Sequence, residues 1–431
     1  MTFNGPIGDL IKFSIGGGWG SDQPKNGFSE VAVIRGTDIP KVTMGDFSTV
    51  PRRFESKTKL ANRLLEVGDL VLETAGGSSA NGQFTGRTLL VTEEILSSLG
   101  PTICASFCKR LALDSSSVEP EYFYWYMQDL YSSGRVAIYD SQSTGISNFQ
   151  FANFLDAEIL ILPKPATQRV IAQSLSKLNE LIVLNRQVTK SLEEIAQTIF
   201  RSWFIDFDPV KAKMAGEKPV GMDDATAALF PDSMVDSELG PIPLSWKLGT
   251  LEDACLILDS KRVPLSGAER KKRPGKIPYF GATGILDFVD SHLFEGPHVL
   301  VGEDGSVITK SGNPFVQYVW GKFWVSNHAH VLQGRGGFSV EQLKLFLDRI
   351  QISNYVTGAV QPKLNQGNLK SIPCLLPVVN VSEAFNLIIG PMFDEIRELS
   401  EQTKLLVEIR DRLLPRLISG ELQIPEEMLG V

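Results

Sequence analysis

The residues that could do chemistry in this chain are few. His328 and His330 lie in Val325-Ser326-Asn327-His328-Ala329-His330-Val331-Leu332, whose alternation reads as one strand with both imidazoles on the same face. Two histidines so placed could bind a metal ion, but no third ligand is evident, so the plainer expectation is a pair of satisfied strand histidines and no metal site. Cys104, Cys108, Cys255 and Cys374 have no second pair or histidine at zinc-ligand spacing and read as buried thiols. Gly16-Gly17-Gly18-Trp19-Gly20 and Gly76-Gly77-Ser78-Ser79 each follow a strand-like run, as phosphate-cradling loops do. The first lacks the full Gly-x-Gly-x-x-Gly spacing, and no Gly-Lys-Ser/Thr follows either. Asn313-Pro314-Phe315 falls short of the Asn/Asp-Pro-Pro-Tyr/Phe motif of methyltransferases. No catalytic residue is assigned. An enzyme built on the histidines and acids of the second half stays open as an alternative, as does a scaffold with no DNA ligand.

Binding is the other chemistry to test. The formal net charge is −8, so a strongly basic footprint for nucleic acid is absent. The charge is uneven, however: residues 246–377 hold 15 Lys and Arg against 11 Asp and Glu, residues 1–162 hold 13 against 18. Arg270-Lys271-Lys272-Arg273-Pro274-Gly275-Lys276 packs five positive charges into seven residues, which suits either a solvated loop or a phosphate contact. Residues 121–131, Glu-Tyr-Phe-Tyr-Trp-Tyr-Met-Gln-Asp-Leu-Tyr, have the aromatic density of a base-stacking surface, but a short helix packed on a sheet explains them better.

Two long helices must position whatever these residues do. Ile171, Leu175, Leu178, Ile182, Asn185, Thr189, Leu192, Ala196, Ile199 and Trp203 keep an unbroken alternation of four and three, the seam of a coiled coil. Met392, Ile396, Leu399, Thr403, Leu406, Arg410, Leu413 and Leu417 keep the same alternation, each being its counterpart's number plus 214. At that offset Ile182/Ile396, Thr189/Thr403, Lys190/Lys404, Leu192/Leu406, Glu194/Glu408 and Ile195/Ile409 are identical, so the chain is two diverged copies of one unit. The expected fold is α+β: two mixed α/β domains separated by two long antiparallel helices forming a coiled coil, with a pseudo-twofold internal repeat. Ile182, Leu192, Ile396 and Leu406 should be buried between the helices. Gly390-Pro391 should truncate or kink the second one.

The boundaries follow from composition. Residues 1–162 form the first globular segment, 163–206 a central helix, 207–245 a breaker-rich and acidic linker expected to be solvated, 246–377 the second segment, and 378–431 the C-terminal helix. Trp203, Phe204 and Phe207, at the end of the central helix, either cap the coiled coil or anchor a partner. With no signal-like N-terminus and no run of eighteen apolar residues, the expected location is the cytoplasm, with no membrane partner.

Gln197-Thr198-Ile199-Phe200-Arg201-Ser202-Trp203-Phe204-Ile205-Asp206-Phe207-Asp208-Pro209-Val210 resembles the central region of specificity subunits of type I restriction-modification enzymes. Leu413-Leu414-Pro415-Arg416-Leu417-Ile418-Ser419-Gly420-Glu421-Leu422 resembles their C-terminal region. Tyr279-Phe280-Gly281-Ala282-Thr283-Gly284, Gly302-Glu303-Asp304-Gly305 and Asn327-His328-Ala329-His330-Val331-Leu332 resemble segments of one class of their target recognition domains. The resemblance spans the whole chain. It implies a non-catalytic subunit without cofactors of its own, whose two domains (1–162 and 246–377) each read half of a bipartite asymmetric sequence in double-stranded DNA, with the helices setting the gap. The implied partners are two modification (methyltransferase) subunits using S-adenosylmethionine, and restriction subunits using ATP and magnesium. The candidate DNA contacts are Arg35, Arg87, Lys109 and Arg110 in the first domain and Lys276, Tyr279, Thr283, His328 and Lys363 in the second. Trp203, Phe204 and Phe207 are the candidate partner contacts.

Overall fold

A computed structural model describes residues 3–76, 84–143, 146–238, 240–358 and 361–429. The Gly77-Ser78-Ser79 portion of the second glycine cluster lies outside the described residues. The chain forms two compact units, residues 1–187 with 401–431, and residues 188–400.

The two units repeat one strand order. In the first, a four-stranded antiparallel sheet runs Ile11–Gly16, Cys108–Leu113, Leu70–Glu73, Thr88–Leu90. In the second, the corresponding sheet runs Cys255–Ile257, Ala329–Gly334, His298–Gly302, Val316–Val319. Each unit carries a further sheet built on a parallel pair: Phe28–Ile34 beside Thr102–Cys104, and Pro274–Phe280 beside Lys322–Val325. Val31–Ile34, Leu70–Leu72 and Val299–Val301 are fully buried runs of Val, Ile, Leu and Ala, which is why these strands read as apolar stretches rather than alternations. A short antiparallel pair closes each unit, Asn4–Pro6 on Ile159–Ile161 and Lys247–Thr250 on Pro373–Leu376, so each long helix leaves from an anchored strand.

The helices are Pro165–Phe204 and Val379–Ile418, forty residues each. Every seam residue named from the sequence is buried or half-buried; Ile182 and Ile396 are buried, Leu192 and Leu406 half-buried. Within the first unit Ile171, Ala172 and Leu175 share a core with Leu414 and Leu417, and Arg410 donates to Asn179 at 3.0 Å. Within the second, Ala196, Phe200, Trp203 and Phe204 share a core with Phe385, Ile389, Phe393 and Ile396. The start of one helix thus meets the end of the other, the antiparallel arrangement expected. Asn185, the polar seam residue, is buried with its amide nitrogen unpartnered among the described residues, a cost of about 1–3 kcal/mol.

Three expectations change. The second helix runs unbroken through Gly390 and Pro391: Phe385, Ile389 and Phe393 are fully buried around them, and that packing outweighs the roughly 3 kcal/mol a mid-helix proline costs. The linker is folded rather than solvated, with helices Asp208–Met214 and Asp224–Ala228; Val210 of the first and Phe230 just past the second enter the second unit's core. Residues 325–332 are two strands, not one. The chain turns at 326–328 from one sheet to the other, which leaves His328 exposed and buries His330.

Candidate nucleic-acid interface

In the second unit several loops converge at one end of the sheets. The turn 281–284 closes on itself through Gly281 N–H to Gly284 at 2.8 Å, and its carbonyls at 281 and 282 accept from Gln317. Ser326 donates to Phe280, Glu303 to the His328 carbonyl, Gly305 to Pro362 and Leu364 to Glu303, so the loops at 302–305, 326–328 and 361–364 are stitched to one another. Side chains repeat the stitching: His328 Nδ1 sits 2.5 Å from Asp304, and Lys363 Nζ 3.6 Å from Glu303. The structure therefore brings His328 and Lys363 together, both about half exposed. Thr283 is exposed on the neighbouring turn, and Lys276 is exposed on the strand leading to it.

Tyr279 does not join them. It is 1 % exposed, its hydroxyl accepts from the Leu265 amide at 3.0 Å, and the Arg270 guanidinium lies 5.0 Å from its ring centroid. Its position on the parallel strand turns it into the core, so it offers no polar atom to a duplex. Arg270 and Arg273 of the basic run are tied to Asp287 and Asp290, while Lys271, Lys272 and Lys276 face solvent.

The first unit treats its cations differently. Arg87 forms a two-pronged pair with the buried Glu73, both contacts 2.7 Å. Arg110 is itself buried, 2.7 Å from Asp69, and Arg35 is held by Asp38 at 2.8 Å and by the Thr49 carbonyl. Such buried pairs organise the fold; Arg87 and Arg110 are spent inside it, and Arg35 keeps only part of its side chain exposed. Lys109 is half-buried with its ammonium 4.8 Å from the Phe151 ring. The residues 121–131 are core: Tyr122, Phe123, Trp125 and Tyr126 are buried, with Trp125 Nε1 donating to Ser176 and Tyr126 bonded to Glu158. That helix also borders a cavity of about 610 Å³ lined by Tyr124, Gln128, Asn179 and Arg410. Gly17 serves close packing rather than a phosphate: a Cβ there would stand 2.2 Å from the Ala105 carbonyl oxygen.

The partner-contact expectation fails on burial. Trp203 and Phe204 are 5 % and 7 % exposed, ringed by Phe200, Phe230, Trp246 and Phe385, and half-buried Phe207 lies edge-on to Trp246. These rings fasten the helix end and the folded linker into the core of the second unit.

Asp259, Glu303 and His330 stand close enough to hold a metal ion. Their donor set is already used. His330 places Nδ1 2.6 Å from Asp259 and Nε2 2.7 Å from the Leu364 carbonyl, and the Arg262 guanidinium neutralises both carboxylates from 3.4 and 2.8 Å. Burial works to raise the Asp259 pKa, but the bond to His330, the Val331 amide and Arg262 hold it below the ordinary carboxyl value. The cluster is an internal clamp around His330 alone; His328 sits on the turn outside both strands, so the two histidines do not share one strand face.

Two copies of one α/β strand order, each packed on residues of both long helices, define a duplicated scaffold. Residues 243–395 match the family model described as the type I restriction modification DNA specificity domain. A type I restriction enzyme specificity subunit of Haemophilus influenzae is 33% identical over 138 residues, 32% of this chain and 34% of that one. The MjaIX specificity subunit of Methanocaldococcus jannaschii is 26% identical over 338 residues, 74% of this chain and 72% of that one. The crystal structure of the type I restriction-modification system S subunit from M. genitalium has the same fold, with a TM-score of 0.58 at 15% identity over 97% of this chain and 96% of that one. The match to the Haemophilus protein spans about a third of its length. Residues 243–395 thus match a type I restriction modification DNA specificity domain, and about three quarters of the chain is similar to a specificity subunit of a type I restriction enzyme.

Proposed function

We propose that this chain is the DNA-reading subunit of a type I restriction-modification assembly, without catalytic residues or cofactors of its own. Its two recognition domains each take one half of a bipartite asymmetric duplex sequence. The observation that carries this reading is that one strand order occurs twice, with the second copy bringing the half-exposed His328 and Lys363 together on stitched loops. Asymmetry of the target follows from the different side chains on the two clusters. The exposed Lys276 and Lys363 supply phosphate contacts, and Thr283 and His328 face base edges.

Two copies of a methyltransferase subunit, bringing S-adenosylmethionine, and restriction subunits, bringing ATP and magnesium, complete the assembly. With the Trp203 cluster buried, their docking surface is the outer face of the helices: Leu181, Leu184, Leu405 and Ile409 are exposed in the first unit, Val188 and Ile195 in the second. A long helix with a second apolar face suits an amphipathic helix of a partner, and a duplicated scaffold recruits the same partner twice. Sequencing methylated adenines in cells that express the chain with its modification partner tests the reading. One bipartite motif should appear, and exchange of residues 246–377 for those of a relative should alter one half only. An unchanged methylation pattern on expression overturns it. Among the described residues no helix is long and apolar enough to cross a membrane.

A further inference from the structure

Each unit enters a central strand of its four-stranded sheet through a three-residue turn, and the two turns are built alike. Ala105, Ser106 and Phe107 join Thr102–Cys104 to Cys108–Leu113; Ser326, Asn327 and His328 join Lys322–Val325 to Ala329–Gly334. In both, the first residue is buried and the next two are exposed. The first residue's amide donates to the end of the parallel neighbour strand, Ala105 to Ile34 at 2.8 Å and Ser326 to Phe280 at 2.9 Å. The third residue's carbonyl accepts from the residue just beyond the next strand, Phe107 from Thr74 at 2.8 Å and His328 from Glu303 at 2.8 Å. Phe107 therefore occupies in the first unit the place that His328 occupies in the second.

The backbone there is held from several sides. Thr74 Oγ1 adds a bond to the Phe107 carbonyl at 3.1 Å, and the amides of Gly17 and Gly18 donate to Cys108 and Cys104, both at 2.9 Å. On this pinned turn Phe107 is 63% exposed. One exposed apolar side chain needs no explanation by itself; its equivalence to His328 supplies one. The geometry points to Phe107 as a specificity-determining residue of the first recognition domain, laying its ring against base edges where His328 makes a polar contact in the second. This inference rests on the DNA-reading function proposed above. His328, with Nδ1 engaged by Asp304, keeps Nε2 for a hydrogen bond, whereas a phenyl ring offers only apolar and stacking contact, which in the major groove favours the thymine methyl.

The test uses the full chain, with its modification partner, on the duplex that the unaltered complex binds. Phe107→Ala is expected to lower affinity on the order of tenfold and to erase a thymine preference at one position of one half-site, with the other half-site unchanged. Phe107→Tyr, which keeps the ring, should restore most of the affinity. Replacing that thymine by uracil removes only the methyl group; it should weaken the unaltered protein and leave Phe107→Ala indifferent. This arm needs no folded variant, so a loss of stability in Phe107→Ala does not obscure the answer. Unaltered affinity and preference in Phe107→Ala, or indifference of the unaltered protein to uracil throughout that half-site, overturns the inference while the DNA-reading function stands. Failure of the unaltered complex to bind any duplex overturns both.

Discussion

The first unit closes its arginines onto buried carboxylates, and the second leaves lysines and a histidine on its loop ends, although the strand order beneath is the same. Arg87 and Arg110 join strands to loops in the first, whereas Lys276, His328 and Lys363 stand open to solvent in the second. A duplicated scaffold thus fixes where loops emerge and leaves free which side chains they carry. Basic residues counted along the chain therefore do not locate a DNA face, because some, such as Arg35, Arg87 and Arg110, are clamps.

The comparison breaks most visibly in the two cores. Trp203 and Leu417 are counterparts at the 214-residue offset, buried in the second and first unit respectively. Trp203→Ala should cost about 3–5 kcal/mol and Leu417→Ala about 2–4 kcal/mol. Denaturant unfolding followed by hydrogen exchange should place the first loss in residues 188–400 and the second in the other unit. Equal losses in both units from either variant would mean that the units do not fold separately.

The next contrast sets one cation against another. Arg87→Ala leaves Glu73 buried and unpaired, so it should cost about 3 kcal/mol of stability, measured by urea titration. Lys363→Ala removes a half-exposed charge; its stability should stay within about 0.5 kcal/mol, and the slope of log affinity against log salt should fall by roughly one. A stable Arg87→Ala that binds DNA weakly would move Arg87 from clamp to contact.

These cases also mark what was legible in the sequence. The helices, their pairing and the duplication were readable, since a seam of 4-3 spacing and a constant offset are properties of order alone. Arg110 and Tyr279 were misplaced because nothing local distinguishes an arginine facing Asp69 from one facing solvent; the partner is forty-one residues away. The histidine strand was misread because alternation continues through the turn at 326–328, where the chain changes sheets. Phe107 went unnoticed for the same reason that Trp203 was overvalued: hydrophobicity does not state which side of a turn faces water.

Acid should separate the units next. Burial holds the His298 pKa below its ordinary 6.5, so its contribution is present above that value and is lost as pH falls from there through the lower folded value. Asp259 is held low by His330 against its burial, and its contribution is lost at still lower pH. In the first unit burial raises the pKa of Asp69 and Asp129, whose contribution is present at low pH and lost as pH rises through their folded values; Asp38, held low by Arg35, offsets part of this. Lowering pH from 7 toward about 4 should therefore melt residues 188–400 before the first unit. Domain-resolved hydrogen exchange across that range checks it, and the opposite order would reassign the weaker clamp.

The smallest effect is expected at Tyr279, and it tests whether burial alone settles a role. Tyr279→Phe keeps the ring beneath Arg270 and removes only the hydroxyl, leaving the Leu265 amide without the acceptor it has at 3.0 Å. The expected loss is about 1 kcal/mol. Base preference should not move, because the hydroxyl points to the chain's own backbone. His328→Ala on the adjoining loop should do the reverse, altering preference at one base pair by about 1–3 kcal/mol with little change in stability. Binding selections on randomised duplexes, run beside thermal melts, give both readouts for both variants. If Tyr279→Phe changes a preferred base while the melt is unaltered, the strand must rotate its tyrosine outward on DNA, and the second unit's reading surface would then include the parallel strand as well as the loops.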